Sequence, residues 1–296
     1  MSLNKEKKVA PTANGIKETG SYTPEELERL QATLYRILAE IKRVCDKHGI
    51  RYFITGGTAI GAYFWGKILP WDDDVDVGMP RADYERFARI AQEEMGQDYF
   101  LQTPQTDPHV PFFFMKVRMN GTEFNEGTFR KLNIHQGIYV DIFPFDRMPE
   151  NKRIEKIQHN ILFFLNGLFI AKEIWQWRHC GRCDIEEPRE RGFWPCLMTR
   201  LLITLLPKRL IFWLMVRTQT LFNRSRSPYY KNIITKSEYV AADDIVHARL
   251  VKLGDLEVAA PKDLLQYLNN HYGQVRKDIP EEMKVNHRPF KLKFKE

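Results

Sequence analysis

"GGTAIGAYFWGKILPWDDDVDVGMP", residues 56–80, decides how this chain is read. It carries Asp72, Asp73, Asp74 and Asp76 inside a stretch that is otherwise half apolar. Like charges about 4 Å apart repel by about 4 kcal/mol at an effective dielectric near 20. Such a cluster persists where something compensates it. "DVDVGM" alternates acidic and apolar residues, which predicts a strand with Asp74 and Asp76 on one face and Val75 and Val77 in a core. Two carboxylates side by side on a strand suit Mg²⁺ or Mn²⁺, hard ions that take oxygen ligands and keep positions for water and phosphate.

Upstream, "IRYFIT" reads as a short buried strand that Gly56 and Gly57 break, followed by a helix from Thr58 to Phe64. Glycines before a helix let a phosphate approach the backbone, and the helix amino end supplies free N–H groups. Gly56, Gly57 and Thr58 are therefore candidates for a phosphate loop. Residues 67–71 form a connection, and Pro80 opens a helix with Tyr84, Phe87, Ile90 and Ala91 inward.

Before this stretch, Thr23, Pro24 and Glu26 form a capping box with proline in the first turn. Leu27, Leu30, Leu34, Ile37, Leu38, Ile41, Val44 and Cys45 make one apolar stripe, and Gly49 stops the helix. After it, "PFFFMKVRMN" and "QGIYVDIFPFD" predict two strands. In the second, Ile138, Val140 and Ile142 share one face, and Tyr139, Asp141 and Phe143 the other. Asp141 thus offers a third carboxylate. The order of elements predicts a mixed α/β sheet flanked by helices.

From about residue 150 to 227 the chain becomes helical, aromatic and basic. "ILFFLNGLFIA" is too short to span a bilayer, and "LMTRLLITLLPKRLIFWLMV" is interrupted by Arg200, Pro207, Lys208 and Arg209. A buried helical subdomain and an amphipathic face on an anionic membrane are both open readings. The expected organisation is a loose Lys-rich tail at 1–20 without the apolar run of a signal peptide, a catalytic core at 21–150, a helical subdomain at 151–230, and the rest of the catalytic domain at 231–296. There, "LGDLEVAAPKDLLQYLNNHYG" predicts a strand pair and a helix from Pro261 to near Gly273.

The chain has 296 residues, 43% hydrophobic and 28% charged, which excludes a disordered protein. A net charge of +7 favours anionic partners. No nucleic-acid-binding motif accompanies it, so nucleic acid is not expected. Cys45, Cys180, Cys183 and Cys196 are too few and irregular for a disulfide scaffold. Reduced thiols in a cytoplasmic protein are the expectation; His179 with Cys180, Cys183 and Cys196 is the one zinc-like grouping.

A phosphate loop, a carboxylate pair and a later single aspartate resemble the nucleotidyltransferase superfamily. "PWDDDVDVGMPR", "FFMKVRMNGTEF", "GIYVDIFPFD" and "YLNNHYGQVRKDIP", in that order, resemble the LicD family of phosphorylcholine transferases, to which the fukutin group is related. The likeness covers roughly residues 46–287 and is poor in the middle helical segment. It implies a nucleotidyltransferase-like mixed sheet with an inserted helical, basic-aromatic subdomain. It also implies transfer of a phospho-alcohol, typically phosphocholine from CDP-choline, to a hydroxyl of a cell-surface glycan or glycolipid. Carried over, Asp74 and Asp76 match the metal-binding pair. Asp141 matches the third carboxylate, able to orient or deprotonate the acceptor. Gly56, Gly57 and Thr58 match the phosphate loop. Where many relatives carry Arg-His, this chain has Phe64 and Trp65.

Other candidates have two readings each. Asp72 and Asp73 contact ligand or cap a turn. Lys116 and Arg118 grip a diphosphate or line a sheet edge. Trp71, with Trp65, boxes a quaternary ammonium or packs. His287 and Arg288 lie in the shared C-terminal segment or are merely surface. Transfer of the nucleotide itself to a small acceptor and a non-catalytic membrane-bound scaffold are the alternatives in function. The expected location is the cytoplasm or the inner face of the cell membrane, reached through residues 151–230.

Overall fold

The computed structural model describes residues 22–179, 193–232, 238–284 and 286–295. The expected tail at 1–20 lies outside them, as do Cys180, Cys183 and the side chains of His179 and Cys196. Helix α1 (Pro24–His48) starts as its sequence dictates. The Thr23 hydroxyl accepts the Glu26 N–H, the Glu26 carboxylate accepts the Thr23 N–H, and Gly49 closes the helix in the left-handed region at φ 59°. Its stripe from Leu30 to Cys45 is buried, at about 1.5–3 kcal/mol for each large aliphatic side chain removed from water.

A seven-stranded mixed sheet lies against this stripe. In chain order come β1 (Phe53–Ile54), α2 (Gly56–Trp65), β2 (Asp76–Pro80), α3 (Arg81–Met95), β3 (Tyr99–Gln102), β4 (Met115–Met119), β5 (Glu123–Asn125) and β6 (Tyr139–Arg147). The sheet order is β1-β2-β6-β4-β3; β2 and β6 are parallel and the other pairs antiparallel. Val75, Val77, Ile138, Val140 and Ile142 are fully buried, as the alternation predicts. Phe53 meets Phe145 edge-on at 4.9 Å. Gly78 lies under both rings, and a Cβ there would come within 2.8 Å of each.

The helical region consists of α4 (Lys152–His179), α5 (Phe193–Leu205) and α6 (Lys208–Thr220). They close on their own core of Leu162, Leu165, Phe169, Ile203, Ile211 and Met215. The chain then returns to the sheet. Strand β7 (Tyr229–Asn232) pairs with the end of β6 and with β8 (Tyr239–Ala241). The remaining elements are α7 (Ala242–Val246), the hairpin β9 (Arg249–Leu253) and β10 (Leu256–Ala260), α8 (Leu264–Tyr272), and β11 (Lys291–Lys293) beside β5. Among the described residues no helix is long and apolar enough to cross a membrane.

Several boundaries differ from expectation. The helical part ends at Thr220, before residue 230, because β7 completes the sheet. The strand after the aspartates begins at Asp76, so Asp74 precedes it. Gly56 and Gly57 belong to the first turn of α2 instead of a break before Thr58, with Thr55 as N-cap. Phe112 to Phe114 precede β4, where aromatic packing and not strand pairing holds them.

Candidate active site

Register brings the acidic residues together. Asp76 on β2 pairs with Asp141 on β6, and Asp141 pairs with Lys116 on β4. Neighbouring strands are about 4.8 Å apart, so these three charges form a row across the sheet. Asp74, two residues earlier, adds to it. Burial pushes Asp76 well above the usual carboxylate range, and Asp74 and Asp141 add repulsion. Burial raises Asp74 as well, followed by the charge of Asp73. Asp141 is pushed up to about 6 by burial, with Lys116 opposing. The Lys116 ammonium stands 3.2 Å from Asp141 Oδ1 and 3.7 Å from Glu126, and 3.4 Å from the centre of the Tyr139 ring.

The glycines stand over carboxylates. Gly56 has φ 55°, and a Cβ there would lie 3.0 Å from Asp76 Oδ2; at Gly57 it would lie 2.8 Å from Asp72 Oδ2. The amino end of α2 therefore faces acidic side chains, whose charge suits that end of a helix. The Gly56 N–H is already donated to Tyr267 Oη at 3.3 Å. Thr58 is buried, and its hydroxyl accepts the Asp76 N–H at 2.9 Å. Thr58 thus positions Asp76 and does not offer its hydroxyl outward.

Asp73 is a tie between chain ends. Its Oδ2 accepts from Tyr22 Oη at 2.7 Å and from the His287 N–H at 2.8 Å. The His287 ring reaches within 3.8 Å of Asp73 and 4.0 Å of Asp74. Its pKa is raised to about 9, chiefly by hydrogen bonding to Asp73. Asp72 is buried, and its carbonyl accepts from Gln31 at 2.9 Å. Burial and then Asp74 push its carboxyl well up.

Arg118 is 1% exposed. Its guanidinium bonds Gln102 and donates to the Gly137 carbonyl at 2.6 Å, which makes it a buried brace behind Tyr139. The sheet-edge reading of Lys116 and Arg118 is corrected, since β4 lies between β6 and β3 and both cations are buried; only Lys116 reaches the carboxylate row. Trp71 and Trp65 meet edge-on at 5.8 Å, and Lys284 and Lys277 lie over their rings. Each ring thus already has an ammonium group over it, at 4.9 Å for Trp71 and 5.9 Å for Trp65.

Tyr267, Tyr272 and Glu238 join the site from outside the acidic and glycine motifs. Tyr267 donates to Glu238 at 2.7 Å and supports Gly56. A Cβ on Gly56 would be 3.7 Å from Tyr272 Oη. Glu238 is buried, also accepts from Asn232 at 2.7 Å, and adds negative potential at Asp76. The two tyrosines five residues apart in "YLNNHY" were the available signal; nothing local marked Glu238.

Among the described residues no three His, Cys, Asp or Glu side chains already stand in metal-ligand geometry. The donor chemistry nonetheless suits a hard cation: Asp74, Asp76 and Asp141 offer only oxygen, and their pKa values are raised first by burial and then by neighbouring carboxylates, which a bound cation would offset.

Residues 49–163 match the family described as LicD/FKTN/FKRP, nucleotidyltransferase domain. That span contains Gly56, Asp74, Asp76, Lys116 and Asp141. The lipopolysaccharide cholinephosphotransferase LicD of Haemophilus influenzae is 30% identical over 130 residues, 43% of this chain and 47% of that protein. The human ribitol 5-phosphate transferase FKRP is 34% identical over 85 residues, 27% of this chain and 17% of that protein. Mannosyltransferase regulator 4 of Saccharomyces cerevisiae is 25% identical over 119 residues, 39% and 10% of the two chains. The matches thus span less than half the length of each of these relatives.

Proposed function

We propose that this chain, whose residues 49–163 match the LicD/FKTN/FKRP family, transfers a phospho-alcohol from a CDP-linked donor to a hydroxyl of a cell-surface glycan or glycolipid. Phosphocholine from CDP-choline is the leading donor, since the relative from Haemophilus influenzae is a cholinephosphotransferase; a lipopolysaccharide or teichoic acid hydroxyl is the acceptor class. The observation that carries the reading is the pairing of Asp76 with Asp141 on adjacent parallel strands, under the amino end of α2.

In this reading Asp74, Asp76 and Asp141 hold Mg²⁺ or Mn²⁺. When bound, the ion neutralises the donor diphosphate and the charge that develops on the leaving oxygen. The acceptor oxygen attacks the phosphorus that bears the alcohol. The bond from that phosphorus to the bridging oxygen breaks, and CMP leaves with the electron pair. The proton of the acceptor hydroxyl passes to Asp141 as general base. Lys116 holds Asp141 in place and offsets its charge. Thr58 fixes Asp76, and Glu238 with Tyr267 fixes the turn at Gly56.

The test is product analysis with CDP-choline, Mg²⁺ and a glycan acceptor. Free CMP in step with phosphocholine on the acceptor supports the reading. Free pyrophosphate made from a nucleoside triphosphate would establish nucleotidyl transfer instead. Undiminished turnover in excess EDTA would rule out the metal.

A further inference from the structure

The hairpin of α5 and α6 combines two features that the catalytic reading does not use. Each helix turns an apolar row outward. Leu201 is 48% and Leu205 66% exposed on α5; Leu210 is 40% and Trp213 51% exposed on α6. Leu201 and Leu205 are one helical repeat apart, as are Leu210 and Trp213, while Ile203, Ile211 and Met215 face the core. The rows are therefore a second apolar face beyond the one that packs.

The second feature is charge. From residue 193 to 232 the sequence holds seven Lys or Arg and no Asp or Glu. Lys208 and Lys231 are paired with Glu173 and Glu155, from α4. Arg200, Arg209 and Arg217 are exposed, and Arg217 lies over the Trp213 ring at 5.4 Å.

We propose that this hairpin is a docking surface for an anionic lipid bilayer, with Leu201, Leu205, Leu210 and Trp213 entering the interface and the arginines meeting lipid phosphates. Exposed leucines with an interfacial tryptophan suit acyl chains, and exposed arginines with no ion pair among the described residues suit anionic headgroups. A second copy of the chain is a poorer occupant, because it would bring the same positive charge against itself. The surface also lies near the site. Lys208 donates to the carbonyls of Pro108 and Val110, and Phe113, three residues before Lys116, packs into the helical core. Docking would hold the carboxylate row close to membrane-borne substrates. The inference goes beyond the transferase reading and does not depend on it.

The experiment is vesicle flotation with the full chain and no substrate. Vesicles with about 30 mol% anionic lipid should bind it, zwitterionic vesicles should bind at least about tenfold less, and salt should weaken the association. Arg200→Glu with Arg209→Glu should lower partitioning by at least about 25-fold, two basic contacts at about fivefold each. Both positions are exposed, and a glutamate in the first turn of α6 suits the helix dipole, so the melting temperature and turnover on a soluble acceptor should not change. Trp213→Glu should abolish flotation. Equal binding to both vesicle types, no binding, or binding that survives the arginine reversals would overturn the proposal. So would a stable dimer in light scattering that Trp213→Glu disperses, since that would assign the face to self-association.

Discussion

The carboxylate row and the α5–α6 hairpin leave opposite kinds of group without a counterpart. Around Asp76 and Asp141 the apolar residues are satisfied: Val75, Val77, Val140 and Ile142 are fully buried. What remains there is more negative charge than the Lys116 ammonium offsets. On the hairpin the reverse holds. Lys208 has its acid in Glu173, while leucines and a tryptophan stay in water. A functional surface shows up as a departure from local self-sufficiency, and the kind of departure names the missing partner. In the readings proposed above, excess carboxylate calls for a cation, and apolar rows among exposed arginines call for an amphiphilic, anionic surface.

The largest effect is expected from Asp76→Asn. Removing one carboxylate of a charge-stabilising site costs about a thousandfold in turnover. The same change relieves repulsion, so the metal-free protein should melt no lower than the parent, and higher at neutral pH. Activity within tenfold of the parent, measured by CMP release, would end the role assigned to the row. Next in size is core truncation. Phe53→Ala removes a ring packed under Phe145 and should lower stability by about 3–5 kcal/mol in denaturant unfolding. Lys116→Met should cost about 3 kcal/mol, because it leaves the half-buried Asp141 and Glu126 without their shared cation.

The pH response follows in magnitude. For Asp72, Asp74, Asp76 and Asp141 the folded pKa is raised. The folded state therefore binds their protons more tightly, and stability falls as pH rises from the ordinary 3.8 through the raised values, about 6 for Asp141. His287 is raised from 6.5 to about 9, so its contribution is complete below 6.5 and is lost as pH rises through about 9. Both effects have the same sign. His135 and His271 are lowered by burial and oppose this trend below about pH 6.5, so the melting temperature of the metal-free protein should decline between about pH 6.5 and pH 9. The lowered carboxyls Glu94, Asp98, Glu155 and Asp243 act only in more acidic solution. Excess Mg²⁺ should flatten the decline; an unchanged slope would mean that the aspartates do not share an ion. The smallest effect belongs to the hairpin: Trp213→Ser should shift stability in solution by less than about 0.5 kcal/mol. A loss comparable to that of Phe53→Ala would show that this face is core and not surface.

Much of this was legible in residue order. The α1 capping box, its apolar stripe and the Gly49 stop are local features, and each sits where its sequence places it. The alternation in "DVDVGM" and "GIYVDIF" put the valines and isoleucines inside and the aspartates on the other face, because a strand has only two faces. The roles of Thr58, Arg118, Asp73 and Glu238 were not legible. Thr58 supports a backbone amide 18 residues away. Arg118 braces a carbonyl 19 residues away, and Asp73 accepts from an amide 214 residues away. Glu238 meets a tyrosine from a helix 29 residues on. A polar side chain looks alike in sequence whether it binds a ligand or a neighbour; only its partner separates the two.

By itself the sequence determined which residues alternate, where the helices begin and stop, which segments carry charge, and that carboxylates crowd between a glycine turn and a strand. Those are properties of neighbours along the chain, set by helical and strand periods and by side-chain chemistry. The tertiary structure decided that Asp141 stands beside Asp76, that Lys116 and not Arg118 meets it, and that glycines give Asp72 and Asp76 room at the amino end of α2. Strand register and packing across dozens of residues make those choices, because they depend on which surfaces exclude water together.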